Sequence, residues 1–121
     1  MLNNNVVQGI ITQVSPKPTI ILGIVTLLKD TIIESIDNKT STNVILDLNG
    51  KNITCSSGAA ITNNGTLKVQ DDNTTKGTIQ GTTIGILNNA SKSLTINSGT
   101  VKSTASGSTS YAIHNKGTLI V

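Results

Sequence analysis

A recurring pair of apolar residues, with one residue between them, constrains this chain more than any other feature. The first members of successive pairs are 21, 21, 27 and 25 residues apart, and the local period of two places both apolar side chains on one face of a strand. The five pairs are Val25-x-Leu27, Leu46-x-Leu48, Leu67-x-Val69, Leu94-x-Ile96 and Leu119-x-Val121. A unit of this length cannot bury its apolar face alone, so neighbouring units are expected to stack into a solenoid.

Two further columns of similar segments keep register with the apolar pairs. One contains residues 60–63, 85–88 and 112–115, and the other contains residues 51–54, 77–80 and 99–102. Three short strands per repeat are typical of one rung of a parallel β-solenoid. The sequence therefore predicts an all-β, parallel β-helix of about five rungs over residues 25–121. An antiparallel β-sandwich has a similar composition, but it does not require three columns in register.

Asparagine recurs at one position of the second column, at Asn63, Asn88 and Asn115. At the strand spacing of about 4.8 Å, these side chains are expected to form a ladder in which each amide bonds to the next rung. The extra residues of the longer repeats fall between the columns, at 71–76, 90–92 and 104–110. Such insertions are expected on the outside of the solenoid, where added loop length costs little.

Residues 1–24 do not follow the repeat and are predicted to form an N-terminal cap segment. Its apolar residues have the spacing of an amphipathic helix that ends before residues 15–18, although an extended capping strand fits as well. Those apolar residues are Val6, Val7, Ile10, Ile11 and Val14. The segment has no basic residue before Lys17 and no apolar run long enough for a signal peptide or a membrane-spanning helix.

Composition favours strands and turns and argues against several function classes. The chain has no Phe or Trp and one Tyr, so Ile, Leu and Val must fill the core. All nine basic residues are Lys, and the formal net charge is +3. Because there is no Arg and Tyr111 is the one aromatic residue among the lysines, nucleic-acid binding is not expected. The single cysteine, Cys55, excludes an intrachain disulfide and a cysteine-cluster metal site.

Several rungs resemble those of bacterial right-handed parallel β-helix proteins of the pectate-lyase-like superfamily, and of its adhesin-like members in particular. The resemblance rests on residues 25–30 and 44–54 and on the Gly-Thr-containing segments at 77–79, 97–101 and 115–119. It covers residues 23–121. It implies a right-handed coil in a secreted or cell-surface protein that is often part of a longer chain. The same lineage contains polysaccharide lyases, glycosidases and phage tailspikes.

No catalytic set accompanies these scaffold motifs. A pectate lyase of that superfamily uses calcium-binding carboxylates and an Arg or Lys base, whereas this chain has no Arg and no stacked carboxylates. The adjacent Asp71 and Asp72 resemble one motif of the polygalacturonases, but the accompanying Gly-His-Gly and Arg-Ile-Lys motifs are absent. Asp71 and Asp72 are therefore expected in a turn, as weak candidates only for a catalytic pair or a calcium ligand. We expect no catalytic residues, no cofactor and no metal site here.

The residue inside each apolar pair is expected to point outward. This gives the exposed column Thr26, Asp47, Lys68, Thr95 and Ile120. The mixed column argues against an ice-binding face, which needs regular ranks of Thr. It also predicts an exposed ion pair between Asp47 and Lys68, of little energetic weight.

Tyr111 and His114 are the only tyrosine and the only histidine of the chain. His114 is expected on the surface, at a position equivalent to Thr62 and Leu87, with no orienting partner for base catalysis. Tyr111 follows a Ser- and Gly-rich loop and either closes a rung or offers a surface on which a sugar ring stacks.

These expectations combine into a non-catalytic structural or adhesive module of a surface-exposed bacterial or phage protein, outside the cell or at its surface. Its expected partners are polysaccharides or surface proteins, without nucleic acid and without a membrane span. The alternative is the N-terminal part of a polysaccharide lyase or glycoside hydrolase whose catalytic rungs lie beyond Val121. Because Val121 falls within an apolar strand motif, the last rung is expected to be uncapped, as in a piece of a longer protein or a chain that associates end to end.

Overall fold

The part of the chain that the structure describes is built from short strands that wind in one coil. The structure is a computed structural model and describes residues 19–20, 23–33, 35–38 and 43–121. These residues contain fourteen strands and no helix. The strands follow one another in sets of three, so the described chain completes four turns and adds two strands of a fifth.

Each complete turn contributes one strand to each of three sheets. In chain order the strands are β1 (Thr19–Ile20), β2 (Gly23–Thr26) and β3 (Thr31–Ile33); β4 (Ile36–Asn38), β5 (Asn43–Asp47) and β6 (Ile53–Cys55); β7 (Ala59–Asn63), β8 (Thr66–Gln70) and β9 (Thr78–Gly81); β10 (Ile84–Asn88), β11 (Ser93–Ile96) and β12 (Thr100–Ser103); β13 (Tyr111–Asn115) and β14 (Thr118–Ile120).

Neighbouring strands within a sheet are one turn apart in the chain. Sheet one has the order β13-β10-β7-β4-β1, sheet two β14-β11-β8-β5-β2, and sheet three β12-β9-β6-β3. Every one of these pairs is parallel. This arrangement defines a parallel β-solenoid, so the predicted all-β fold class is confirmed. The right-handed sense of the coil stays a prediction.

The core consists of aliphatic side chains stacked on their equivalents in the next turn. Sheet one stacks Ile36, Ile61, Ile86 and Ile113 in one column. Sheet three stacks Ile53 on Ile79, which in turn lies beside Val101. β-branched side chains suit the pleated surface of a strand, and this explains how a chain without Phe or Trp fills its interior. Together with the leucines of sheet two, these columns form one continuous apolar core.

The register of sheet two differs from the predicted one by two residues between the second and third turns. The apolar pairs predicted Leu46 opposite Leu67, but Leu46 lies opposite Val69 and Leu67 lies opposite Val44. A shift of two residues keeps the same side chains facing inward, so alternation alone cannot detect it. Four residues, 39–42, join β4 to β5, whereas two residues, 64–65, join β7 to β8. This difference in corner length accounts for the shift.

The outward column of sheet two is corrected in the same way. Its members are Ile24, Ile45, Lys68, Thr95 and Ile120. Thr26 and Asp47 belong to a second outward column that continues at Gln70. The prediction that Asp47 lies opposite Lys68 is therefore wrong, because Lys68 lies opposite Ile45.

Most of the predicted cap segment 1–24 lies outside the described residues, including the apolar positions from Val6 to Val14. Residues 19–20 and 23–24 are described and belong to β1 and β2. These strands pair with β4 and β5. Parallel pairing therefore begins before residue 25.

Candidate functional site

A ladder of asparagine side chains runs through the interior at the ends of the sheet-one strands. The Nδ2 atom of Asn38 donates a hydrogen bond to Oδ1 of Asn63 at 2.7 Å. The same bond joins Asn63 to Asn88 and Asn88 to Asn115, again at 2.7 Å in each case. The ladder contains the three asparagines singled out by the repeat, with Asn38 as a fourth member.

Each ladder residue also holds the corner between sheets one and two. Oδ1 of Asn63 accepts the N–H of Gly65 at 3.1 Å, and Nδ2 of Asn63 donates to the carbonyl oxygen of Ser93, one turn later, at 2.9 Å. The ladder asparagines of the second, third and fourth turns are fully buried. A buried amide without partners costs free energy, so the ladder favours the register in which every amide is bonded.

A second buried polar centre lies at the corner between sheets two and three, around Asp71. Oδ2 of Asp71 accepts the N–H of Gly77 at 2.6 Å, and Oδ1 accepts the N–H of Asn73 at 3.0 Å. The N–H of Gly50, in the preceding turn, lies 3.1 Å from both oxygens. Gly50 has a φ of 72°, which glycine adopts readily, and this conformation positions its N–H toward the carboxylate.

Asp71 is also bonded to the turn that follows. The N–H of Asp71 donates to Oγ of Ser98 at 2.6 Å, and the Ser98 hydroxyl donates to the Asp71 carbonyl oxygen at 2.9 Å. Gly50, Asp71 and Ser98 occupy the same corner in the second, third and fourth turns. Asp71 thus connects three successive turns through its side chain and its backbone.

The environment of the Asp71 carboxylate keeps it ionised. Its burial raises the pKa, but the hydrogen bonds from the N–H groups of Gly77, Asn73 and Gly50 and the charge of Lys76 lower it, and the net result is a pKa below the usual value for aspartate. Because the oxygens accept backbone N–H groups, they are not available to a substrate or a metal ion. The chemistry of this carboxylate is structural: it fixes the loop 71–77.

The structure does not bring Asp71 and Asp72 together as a catalytic pair. Asp71 is fully buried, whereas the next residue, Asp72, is exposed. Within the described ranges, no three His, Cys, Asp or Glu side chains are grouped so as to hold a metal ion. Cys55 is buried, and its Sγ lies 3.0 Å from the carbonyl oxygen of Ser57, as a donor to the backbone.

The aromatic rings of Tyr111 and His114 stack on the outer face of sheet one. Their centroids are 4.6 Å apart and the ring planes are inclined by 30°. Tyr111 retains 39% exposure, and His114 is half-buried. His114 lies opposite Leu87, and Leu87 lies opposite Thr62, as the repeat predicts.

Two consecutive inward residues in β7 and β10, the strands whose register β13 continues, explain why these rings meet. On a regular strand, residues three positions apart point to opposite faces. In β7, residues 60 and 61 are both buried, and in β10 residues 85 and 86 are both buried. The strands of this column therefore turn the residues on either side of the inward pair, such as 111 and 114, to the same outer face.

Asn38 was not identified from the sequence as a ladder residue, nor Asp71 as buried, although the sequence contains a signal for Asn38. Asn38 follows Ile36 with one residue between, as Asn63 follows Ile61, and the two asparagines are 25 residues apart. That pattern identifies the fourth ladder residue. No comparable signal marks the burial of Asp71, because an Asp-Asp-Asn-Thr-Thr segment has the composition of an ordinary exposed turn.

No protein-family model, no curated protein and no solved structure matches this chain. The resemblance to the pectate-lyase-like superfamily therefore rests on the strand motifs themselves. Across the described residues, the structure contains no helix of the length and apolarity needed to span a membrane.

Proposed function

We propose that this protein is a non-catalytic structural or adhesive β-solenoid module that contacts glycans or surface proteins through its outer faces. The observation that supports this most strongly is the use of its buried polar groups. In the described residues, the buried polar side chains are Thr31, Asn38, Asn63, Asp71 and Asn88. Each is hydrogen-bonded within the scaffold. The one buried carboxylate among them thus serves the fold and is not poised for acid or base chemistry.

The mechanical character of the fold supports an adhesive or structural role. Buried aliphatic columns and the asparagine ladder bind each turn to the next, so the outer side chains are held at the strand spacing of about 4.8 Å. Corner loops of different length, such as 104–110, vary without disturbing this core. A rigid body with variable outer loops suits contact with extended ligands or surface proteins.

We extend the proposal to the origin and location of the module. Residues 25–30 and 44–54, which carry the resemblance to adhesin-like β-helices, lie in neighbouring turns, and their strands β2 and β5 are paired. From that resemblance we propose membership of the pectate-lyase-like superfamily and a position outside the cell or at its surface. Expression in the source cell followed by surface proteolysis and immunodetection tests it: we expect an exposed protein, and an exclusively intracellular one contradicts the proposal.

We also propose that the fifth turn associates end to end with a second copy of the chain. Ile113 and Leu119 face the core but are only partly buried, and the described strands β12, β13 and β14 are each paired on one side. Unpaired parallel edges favour addition of further strands. Sedimentation of the 121-residue chain over a wide concentration range is expected to show association, and a strict monomer at high concentration contradicts it.

The central test of the function separates binding from turnover. The protein is applied to an array of polysaccharides and cell-surface proteins, and in parallel it is incubated with the same polysaccharides while new reducing ends and unsaturated sugars are measured. We expect binding without cleavage. Cleavage that is lost in Asp72→Asn or His114→Gln, with the fold intact by circular dichroism, contradicts a non-catalytic role.

A further inference from the structure

The outer face of sheet one carries an apolar and aromatic surface at its fifth-turn end, formed by Ile84, Leu87, Tyr111 and His114 and named here the platform. Ile84 lies opposite Tyr111, and Leu87 lies opposite His114. Ile84, Leu87 and His114 are half-buried, and Tyr111 is 39% exposed. The ring of His114 packs against the ring of Tyr111 and so restricts its orientation. A tyrosine held in this way presents its surface to a ligand with little further loss of conformational entropy.

Charge is distributed unequally along the chain, and the platform lies in its positive part. All six carboxylates of the sequence occur at or before Asp72, whereas four lysines follow it. One of these, Lys116, is exposed and lies two residues beyond His114, in the corner that follows β13. The outward row that contains His114 continues through Leu87 and Thr62 to Asp37, which carries the carboxylate of that row among the described residues. Asp37 is three strands from His114, a distance of about 14 Å.

We propose that the platform binds an anionic polysaccharide, with a pyranose ring stacked on Tyr111 and its acidic substituents near Lys116. This inference rests on the proposed function and specifies the ligand class and the site. The face of an aromatic ring is negative, so it attracts the polarised C–H groups on one face of a sugar. β13 ends at Asn115 and Lys116 lies in the corner that follows, so residues 111 and 116 are separated by up to about 16 Å, and a ligand that reaches both is a chain of several sugar rings.

The lysine contributes charge recognition that the ring pair cannot supply. A surface ammonium group attracts a sulfate or carboxylate group electrostatically. Dissolved salt weakens this attraction, with a screening length of about 10 Å at 0.1 M ionic strength. Stacking on Tyr111 is insensitive to salt. The proposal therefore predicts a binding reaction with two parts that respond differently to ionic strength.

The test measures the binding of two polymers that differ in their sulfate groups, dextran and dextran sulfate, to the 121-residue protein by titration calorimetry. Dextran sulfate is expected to bind more tightly than dextran, with an affinity that falls as salt is added. We expect Tyr111→Ala to weaken the binding of dextran sulfate about five- to tenfold, and Tyr111→Phe, which keeps the ring, to change it less than twofold. Circular dichroism and thermal melting verify that each variant is folded.

The lysine contribution is tested against a matched control in another part of the molecule. Lys116→Gln is expected to weaken binding about threefold and to reduce its salt dependence. Lys29→Gln, which removes the same charge from an exposed position in the first turn, is expected to have less than half of that effect.

Several outcomes contradict the proposal that the platform binds an anionic polysaccharide. They are binding that is unchanged in Tyr111→Ala, equal losses in Lys116→Gln and Lys29→Gln, which indicate attraction to net charge alone, and failure of both polymers to bind. If the array experiment still detects a glycan or protein ligand in any of these cases, the adhesive function stands and only this site is wrong. Polysaccharide cleavage contradicts the proposed function itself, whatever the platform variants do.

Discussion

The third and fifth turns carry almost the same sequence in sheet one and yet differ in burial. Residues 60–63 read Ala-Ile-Thr-Asn, and residues 112–115 read Ala-Ile-His-Asn. In the third turn the alanine, the isoleucine and the asparagine are completely buried. In the fifth turn the alanine and the asparagine are exposed and the isoleucine is half-buried. The local sequence is therefore not what buries these side chains.

The difference shows that burial in this fold depends on neighbouring turns. The third turn has a turn packed on each side, whereas the described part of the fifth turn has one. Asn63 accordingly accepts from one ladder asparagine and donates to the next, while Asn115 accepts from Asn88 and donates to Gly117 of its own corner at 3.0 Å. In such a quasi-one-dimensional array, the contribution of equivalent residues to the free energy of unfolding is expected to depend on whether one or two turns pack on their own turn.

The largest difference between the two turns is expected for the inward isoleucines. Ile61→Ala removes a fully buried side chain and should lower the free energy of unfolding by about 4 kcal/mol, whereas Ile113→Ala should lower it by less than half of that value. Urea denaturation followed by circular dichroism measures both, at a concentration where the protein is monomeric. Equal losses break the comparison, since they show that the fifth turn is packed as tightly as the third.

A smaller contrast is expected for the ladder. Asn63→Ala leaves a donor of Asn38 and an acceptor of Asn88 without this partner inside the solenoid, and it should cost about 3 kcal/mol. Asn115→Ala removes an exposed residue and should cost about 1 kcal/mol. The same denaturation experiment applies. If Asn115→Ala lowers the free energy of unfolding as much as Asn63→Ala does, the number of neighbouring turns does not determine the contribution of a ladder residue.

The buried carboxylate of the third turn gives a pH-dependent contrast with its exposed neighbour. Because the folded-state pKa of Asp71 is lowered, its contribution is complete above the ordinary aspartate pKa of about 3.9 and is lost as the pH falls through the folded value. Asp71→Asn should cost about 2 kcal/mol near neutral pH and remove part of the acid sensitivity. Asp72→Asn is the matched control.

The control is expected to leave both the free energy of unfolding and its pH dependence nearly unchanged, because Asp72 is exposed. Melting temperatures measured from pH 7 to pH 2 give both quantities for the two variants. An Asp71→Asn protein that retains the full acid sensitivity of the original chain shows that other carboxylates dominate it.

The smallest effects are expected at outward positions. Lys68→Gln in the third turn and Lys116→Gln in the fifth should each change the free energy of unfolding by less than about 0.5 kcal/mol. Neither lysine is buried by the turns beside it, so the number of neighbouring turns should not change the effect of either substitution. A clear difference between the two variants, measured by urea denaturation, shows that outward contacts also depend on the neighbouring turns.

Much of this architecture is predictable because the same pattern of aliphatic and polar residues recurs in several repeats. The columns that contain Ile61 and Ile79 are in the predicted register, since each repeat aligns an identical or similar aliphatic residue. In sheet two, alternation with a period of two fits Leu46 opposite either Leu67 or Val69, and only the corner length decides between them.

The candidate sites are less predictable, because they depend on contacts between turns and on local departures from regular strands. The burial of Asp71 results from N–H groups that the preceding turn and its own loop direct toward it. The stacking of Tyr111 on His114 follows from the register of β13 on β10, whose two consecutive buried residues a strict alternation of strand residues does not predict. Neither feature is encoded in a motif at the residue itself.

The most direct test of the account is the hydrogen exchange of the ladder side chains, measured by NMR at a concentration where the protein is monomeric. Side-chain amides of exposed asparagines exchange rapidly, whereas buried, bonded ones exchange through opening of the structure. We predict strong protection of the Nδ2 protons of Asn63 and Asn88 and weak protection of those of Asn115. Rapid exchange at all three residues contradicts the stacked ladder, and equal protection at all three contradicts the claim that neighbouring turns determine burial.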